Sequence, residues 1–354
     1  MPEFVTALEP APVTLITLGE LLGFLPLPVI FLANLAALGR GPREWRGWYW
    51  FVLAAVGAGV ALVGLATVPG TPGYGIGFMV GGLGMGALAL APPRRLAGRL
   101  LPIDPESPLD ATALGFTLVV AGSQLGLQVS TNVLATVAAG APETPLDQVL
   151  TELPFLLGAL LGVGLGVRRR PGAVLARLGI TAPLAWQILL GVACAGAFYA
   201  FGLGAEAAQR WLTPEVAARV GSATSQLYRG VDTPVGILTI ALVPAICEET
   251  LFRGALQPRL GLIWTAVVFA LLHTQYGLTI DELAVLILAF GLGVLRRFTN
   301  TTTSMLCHAI YNAITAVQLA SIFAGPALAL EGAAVAALAV WLAASRRRAR
   351  PSVP

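Results

Sequence analysis

The chain has 354 residues, of which 56% are hydrophobic and only 11% charged, with a formal net charge of +3. Soluble domains carry about 25% charged residues, so a water-soluble domain of this size is excluded. The basic residues are all Arg, and they sit in short clusters between apolar runs, which excludes nucleic acid as a partner and leaves the lipid bilayer.

Apolar runs long enough to cross a hydrocarbon core (roughly 17–25 residues) recur along the whole chain. In order they cover 13–38, 48–68, 73–91, 112–138, 149–167, 184–204, 233–256, 261–276, 282–295, 303–322 and 327–345. The first contains Glu20, expected to pack or line a mouth, and Pro26 and Pro28, which predict a kink. No basic n-region precedes it, so a retained helix is expected rather than a signal peptide. Trp45, Trp48, Tyr49 and Trp50 read as an interfacial aromatic belt. Gly81, Gly82, Gly84 and Gly86 make the third run smooth enough for close helix packing. In the fourth, Gln124, Gln128 and Asn132 form an i,i+4,i+8 polar stripe expected to hydrogen-bond across helices. The segment 205–232 carries both signs of charge and reads as a surface loop or an amphipathic surface helix. Cys194, Cys247 and Cys307 fall in or beside apolar runs and read as buried thiols.

Arginines occupy every second loop: 40–46, 94–99, 168–177, 253–259, 296–297 and 346–350. The intervening loops are neutral, acidic or mixed. Basic loops mark the cytoplasmic side. The expected fold class is therefore all-α: a polytopic transmembrane helix bundle of about 10–11 spans, N-terminus outside and C-terminus inside, in the cell membrane.

Ionisable residues inside a bilayer are costly, and each is a functional hypothesis. Glu248, Glu249 and Arg253 lie in the seventh run, and the two histidines of the chain, His273 and His308, lie in the eighth and tenth. At about 1.5 Å per helical residue, unbroken helices would put Glu248, His273 and His308 roughly 10–18 Å from the cytoplasmic end. One layer between the midplane and the inner face accommodates all three. Glu249 and Arg253 are i,i+4 and form an ion pair on one helix face. Glu248 points about 100° away and is the carboxylate freer to act on a water. His308 and Asn312 are also i,i+4. They present an imidazole and an amide side by side, which suits an oxyanion.

Glu248-Glu249-x-x-x-Arg253, then Phe269-x-x-x-His273, then His308-x-x-x-Asn312, with Phe252 before the Arg, resembles the three-motif signature of the CPBP family. These are the CAAX proteases and bacteriocin-processing enzymes, also called the abortive-infection family. The resemblance covers about 240–315. It implies an intramembrane endopeptidase acting on a membrane-anchored protein or peptide. One branch of the family, the type II CAAX prenyl endopeptidase, removes the residues after a prenylated Cys. Carried over, Glu248 and His273 activate the attacking water, and His308 and Asn312 stabilise the oxyanion. Glu249 and Arg253 orient the site, and Phe269 supports it. The family is often labelled metalloprotease, and two His plus one Glu is a known catalytic zinc set. Glu248, His273 and His308 would be the ligands; a metal-free, Glu-activated water stands equally open. No H-E-x-x-H is present, so the chain is not a zincin. The expected organisation is 1–232 as an N-terminal membrane region of about six spans plus a surface loop, 233–322 as the catalytic core of four spans, and 323–354 as a final span and basic tail. The competing reading is a non-catalytic membrane scaffold, immunity or transport protein that keeps the polar set for helix packing.

Overall fold

The computed structural model describes residues 23–38, 43–231 and 233–319, together with Ala336, Val340 and Trp341. Glu20, the first half of the first expected span, and the final span with its basic tail lie outside these, apart from those last three residues. The described part is a bundle of α-helices, and the chain is a multi-pass membrane protein. Four of the described helices are long and apolar enough to cross a membrane: α2 (Arg43–Thr67), α5 (Pro108–Ser130), α9 (Ala185–Leu212) and α11 (Pro234–Leu260). A fifth crossing results if α3 (Pro72–Ala87) and α4 (Ala91–Leu100), bent by 104° at the break between them, are one broken span. The described helices thus support fewer full crossings than the ten or eleven apolar runs suggest.

The reasons are local. In the first run only α1 (Pro26–Ala36) is helical among the described residues. The fourth run splits after Ser130, because Asn132 accepts a hydrogen bond from Ala135 N and caps a new short helix, α6 (Val133–Ala139). The polar stripe splits with it. Gln128 alone reaches across helices, donating to the Leu271 carbonyl at 3.2 Å. The fifth run is α7 (Pro145–Gly162), and the arginine-rich loop after it holds α8 (Pro171–Leu178). The segment after Glu206 is helical: α9 runs on to Leu212 and Pro214 opens α10 (Pro214–Leu227). The eighth run yields only the ten-residue α12 (Leu262–Leu271), so His273 sits beyond a helix end rather than inside a span. α13 (Ile280–Phe298) and α14 (Thr301–Leu319) follow.

Two residues first read as surface signals are interior. Tyr49 is fully buried, its hydroxyl meeting Pro108 O at 2.5 Å and Thr112 Oγ1 at 2.8 Å, so it is no part of an interfacial belt. Arg94 is also buried. Its guanidinium caps the open end of α3 through Leu88 O (2.8 Å) and Ala89 O (2.9 Å) and lies 3.8 Å from the centroid of Trp50. A cation at a helix C-terminus satisfies carbonyls that have no intrahelical donor.

Loop-to-loop bonds follow the charge alternation. At one end Thr301 donates to the Leu178 and Gly179 carbonyls, and Arg259 pairs with Asp110 at 2.9 Å. At the other, Gln226 Nε2 donates to Gly140 O, Glu143 N to Leu227 O, and Ile280 N to Gln209 Oε1.

Glycine sets the spacing of the N-terminal helices. α3 lies between α2 and α5 with backbones in contact. A Cβ on Gly77 would run into the Gly122 carbonyl, and one on Gly57 into the backbone of Gly86 and Gly82. Membrane helices gain little from the hydrophobic effect and associate through such close packing. Gly77→Ala and Gly122→Ala are expected to cost about 1–3 kcal/mol each, read as a lower melting temperature in detergent. Gly59→Ala on α2, with nothing within 4 Å, is expected to leave the melting temperature unchanged.

Candidate active site

The site begins with a proline. Pro244 lies inside α11 and has no N–H, so the carbonyl of Ile240 loses its helical donor. Asn312 Nδ2, on α14, donates to that carbonyl at 3.2 Å. A few residues on, α11 widens into a π-helical stretch at Thr250–Leu256. Such stretches are rare and concentrate at functional sites. Glu248 and Glu249 stand at the junction, near the middle of the helix.

The two carboxylates have different surroundings. Glu249 is fully buried. Its Oε2 meets Arg253 Nε at 3.2 Å and accepts a hydrogen bond from Ser304 Oγ, and its Oε1 faces His308 Nδ1 at 3.2 Å. Glu248 has Oε2 buried with no hydrogen-bond donor on it; the nearest basic atom is His308 Nε2, at 3.9 Å. Ser304, His308 and Asn312 are spaced i, i+4, i+8 and so share one face of α14. That face meets α11 at three levels: Ser304 on Glu249, His308 on both glutamates, and Asn312 on Ile240.

His273 comes from the other side. α12 ends at Leu271, and His273 takes φ −88° and ψ 55° at the head of a 3-10 turn. Its Nδ1 lies 2.9 Å from Phe269 O. A carbonyl only accepts, so Nδ1 carries the hydrogen and the neutral ring keeps its lone pair on Nε2. The ring stacks on Phe269 with centroids 4.7 Å apart, and Arg253 Cζ lies 4.8 Å from the centroid of the same Phe269 ring. Phe269 thus links the ion pair to the histidine.

Glu248, Phe269, His273, His308 and Asn312 all line one cavity of about 320 Å³. Glu249 and Arg253 lie behind its wall. Among the described residues, no group of three His, Cys, Asp or Glu side chains is placed to hold a metal ion.

Two participants escaped the reading of the sequence. Ser304 is one polar residue in a Thr/Ser-rich helix start, and only its i−4 relation to His308 hints at it. Glu152 had a plain signal, a carboxylate inside the fifth apolar run. It is 5% exposed, lines the same cavity, and its carboxyl lies within hydrogen-bonding reach of Glu248.

Residues 230–314 match the family model described as type II CAAX prenyl endopeptidase Rce1-like. All three motifs fall inside that match, and the resemblance to the CPBP family rests on it. The chain is also 38% identical over 86 residues to the uncharacterized protein YpbD of Bacillus subtilis (strain 168). That alignment covers 23% of this chain and 45% of YpbD, so the chain spans under half of that relative. No solved structure matches.

Removing one partner of a buried ion pair leaves the other charge uncompensated, at about 3–5 kcal/mol. Arg253→Met is expected to lower the thermal unfolding temperature of the detergent-solubilised protein more than Arg259→Met does, since the Arg259–Asp110 pair is partly exposed.

Proposed function

We propose that the chain is an intramembrane endopeptidase that hydrolyses a peptide bond of a membrane-associated protein or peptide. The observation that carries this reading is the convergence of Glu248, His273, His308 and Asn312 on one cavity, inside the segment that matches the CAAX-protease family. A water in the cavity gives its proton to the Glu248 carboxylate, with His273 Nε2 accepting its second hydrogen bond. The resulting hydroxide attacks the peptide carbonyl carbon. The oxyanion takes hydrogen bonds from Asn312, through the amide hydrogen not used on Ile240, and from His308 Nε2. For Nε2 to donate while Nδ1 faces Glu249, His308 carries both protons, and Glu249 is its counter-charge. Glu248 then returns its proton to the leaving nitrogen as the C–N bond breaks.

The chemistry is proposed to run without a metal, since the donor set does not converge on one. Glu248→Gln is expected to lower cleavage of a quenched-fluorescence peptide pool by at least about 10²-fold, with an unchanged melting temperature. Dialysis of the wild type against a strong chelator is expected to leave the rate unchanged. A folded Glu248→Gln protein that cleaves at the wild-type rate would return the polar set to a packing role. Chelation that abolishes cleavage, with restoration by zinc, would overturn the metal-free route.

We also propose that substrate reaches the cavity from the side opposite the arginine-bearing loops. The support is its lining, which includes Glu143, Leu227 and Tyr228 at the arginine-poor end. If so, Leu227→Cys, in a background lacking the three native cysteines, should react with an impermeant maleimide added outside intact cells. Labelling only after the cells are opened would reverse the orientation.

A further inference from the structure

The cavity has an acidic wall that hydrolysis does not use. Glu143, Gln148, Thr151 and Glu152 line it from the mouth inward, the last three on one face of α7. Among the described lining residues there is no Arg to answer these carboxylates. Oε2 of Glu152 is buried with no hydrogen-bond donor on it, and so is Oε2 of Glu248 beside it. Two carboxyls in contact repel unless a proton or a cation stands between them. Around them the walls are aromatic: Phe155, Tyr228, Tyr276 and Tyr311 line the same space. Aromatic faces also attract cations in a desolvated site.

Resting on the endopeptidase reading of this cavity, we infer that it takes a substrate with a basic side chain flanking the scissile bond, held by Glu152 with Glu143 at the mouth. An ammonium brings three donors and a guanidinium five, enough to answer Glu152 Oε2 while Glu248 stays free for the water. An apolar side chain in that place leaves Glu152 no partner but Glu248, against which it is stable only by taking up a proton. An acidic side chain would add a further negative charge to the wall. Glu152 is thus a specificity residue, and the substrate is an apolar membrane peptide interrupted by one Lys or Arg.

The test uses the full chain in detergent micelles and three dye-labelled apolar peptides, acetylated and amidated so that their ends carry no charge. They differ at one central position, which is Lys, norleucine or Asp. Fluorescence anisotropy is expected to show the Lys peptide binding at least about tenfold more tightly than the norleucine peptide, and the Asp peptide weakest. Glu152→Gln should abolish the preference for Lys, and Glu152→Asp should keep part of it. Equal binding of the Lys and norleucine peptides to the wild type, at any affinity, overturns the inference. So does a preference for Lys that survives in a folded Glu152→Gln protein. The wild-type comparison decides the question even if the Gln variant fails to fold. Binding and cleavage fail separately: a Lys preference without any cleavage would sink the endopeptidase reading and leave the cation site standing.

Discussion

The site depends on a single buried carboxylate. Glu249 has no exposed surface, yet it meets Arg253 from its own helix and both Ser304 and His308 from α14. A charge in that position is tolerable only when each oxygen is answered. The requirement fixes which face of α14 meets α11, and with it the direction of the His308 ring. Nδ1 is committed to Glu249, so Nε2 turns toward Glu248 and the cavity. Arg253 reaches further, over Phe269, and Phe269 stacks on His273. One ion pair thereby sets the bearings of both histidines.

Irregular backbone does the remaining placement. Pro244 frees a carbonyl that Asn312 claims, and the π-helical stretch shifts the register of α11 after Glu249. α12 stops short, which lets His273 leave helical geometry and turn Nδ1 back onto Phe269 O. Non-helical backbone at membrane depth is tolerated where it lines a protein cavity, and His273 lines one. The glycine-packed α2, α3 and α5 are a different kind of structure. They are held by backbone proximity, and the deep site residues come from α7, α11, α12 and α14.

Much of the site was legible because polar residues are scarce in this chain. Against an apolar background Glu248, Glu249, Arg253, His273 and His308 stand out, and i,i+4 spacing alone pairs Glu249 with Arg253 and His308 with Asn312. Spacing describes one helix at a time, however. It gave no sign that Ser304 would meet Glu249, or that Glu152, some hundred residues upstream, would stand against Glu248. Hydropathy likewise marks a run as apolar without saying where the helix in it ends. The run holding His273 reads on to Tyr276, yet its helix closes at Leu271.

Composition and hydropathy determined by themselves that the chain is helical and lives in a membrane. In a bilayer, unpaired backbone polar groups leave helices and closed barrels as the only spanning structures. The three motifs singled out which polar residues to look for together, because each charge or imidazole kept in an apolar run needs a partner. Tertiary structure alone decided which oxygen faces which nitrogen, and that Glu152 stands against Glu248 in the cavity wall. Those relations are between helices far apart in the chain, and packing, not local pattern, brings their faces together.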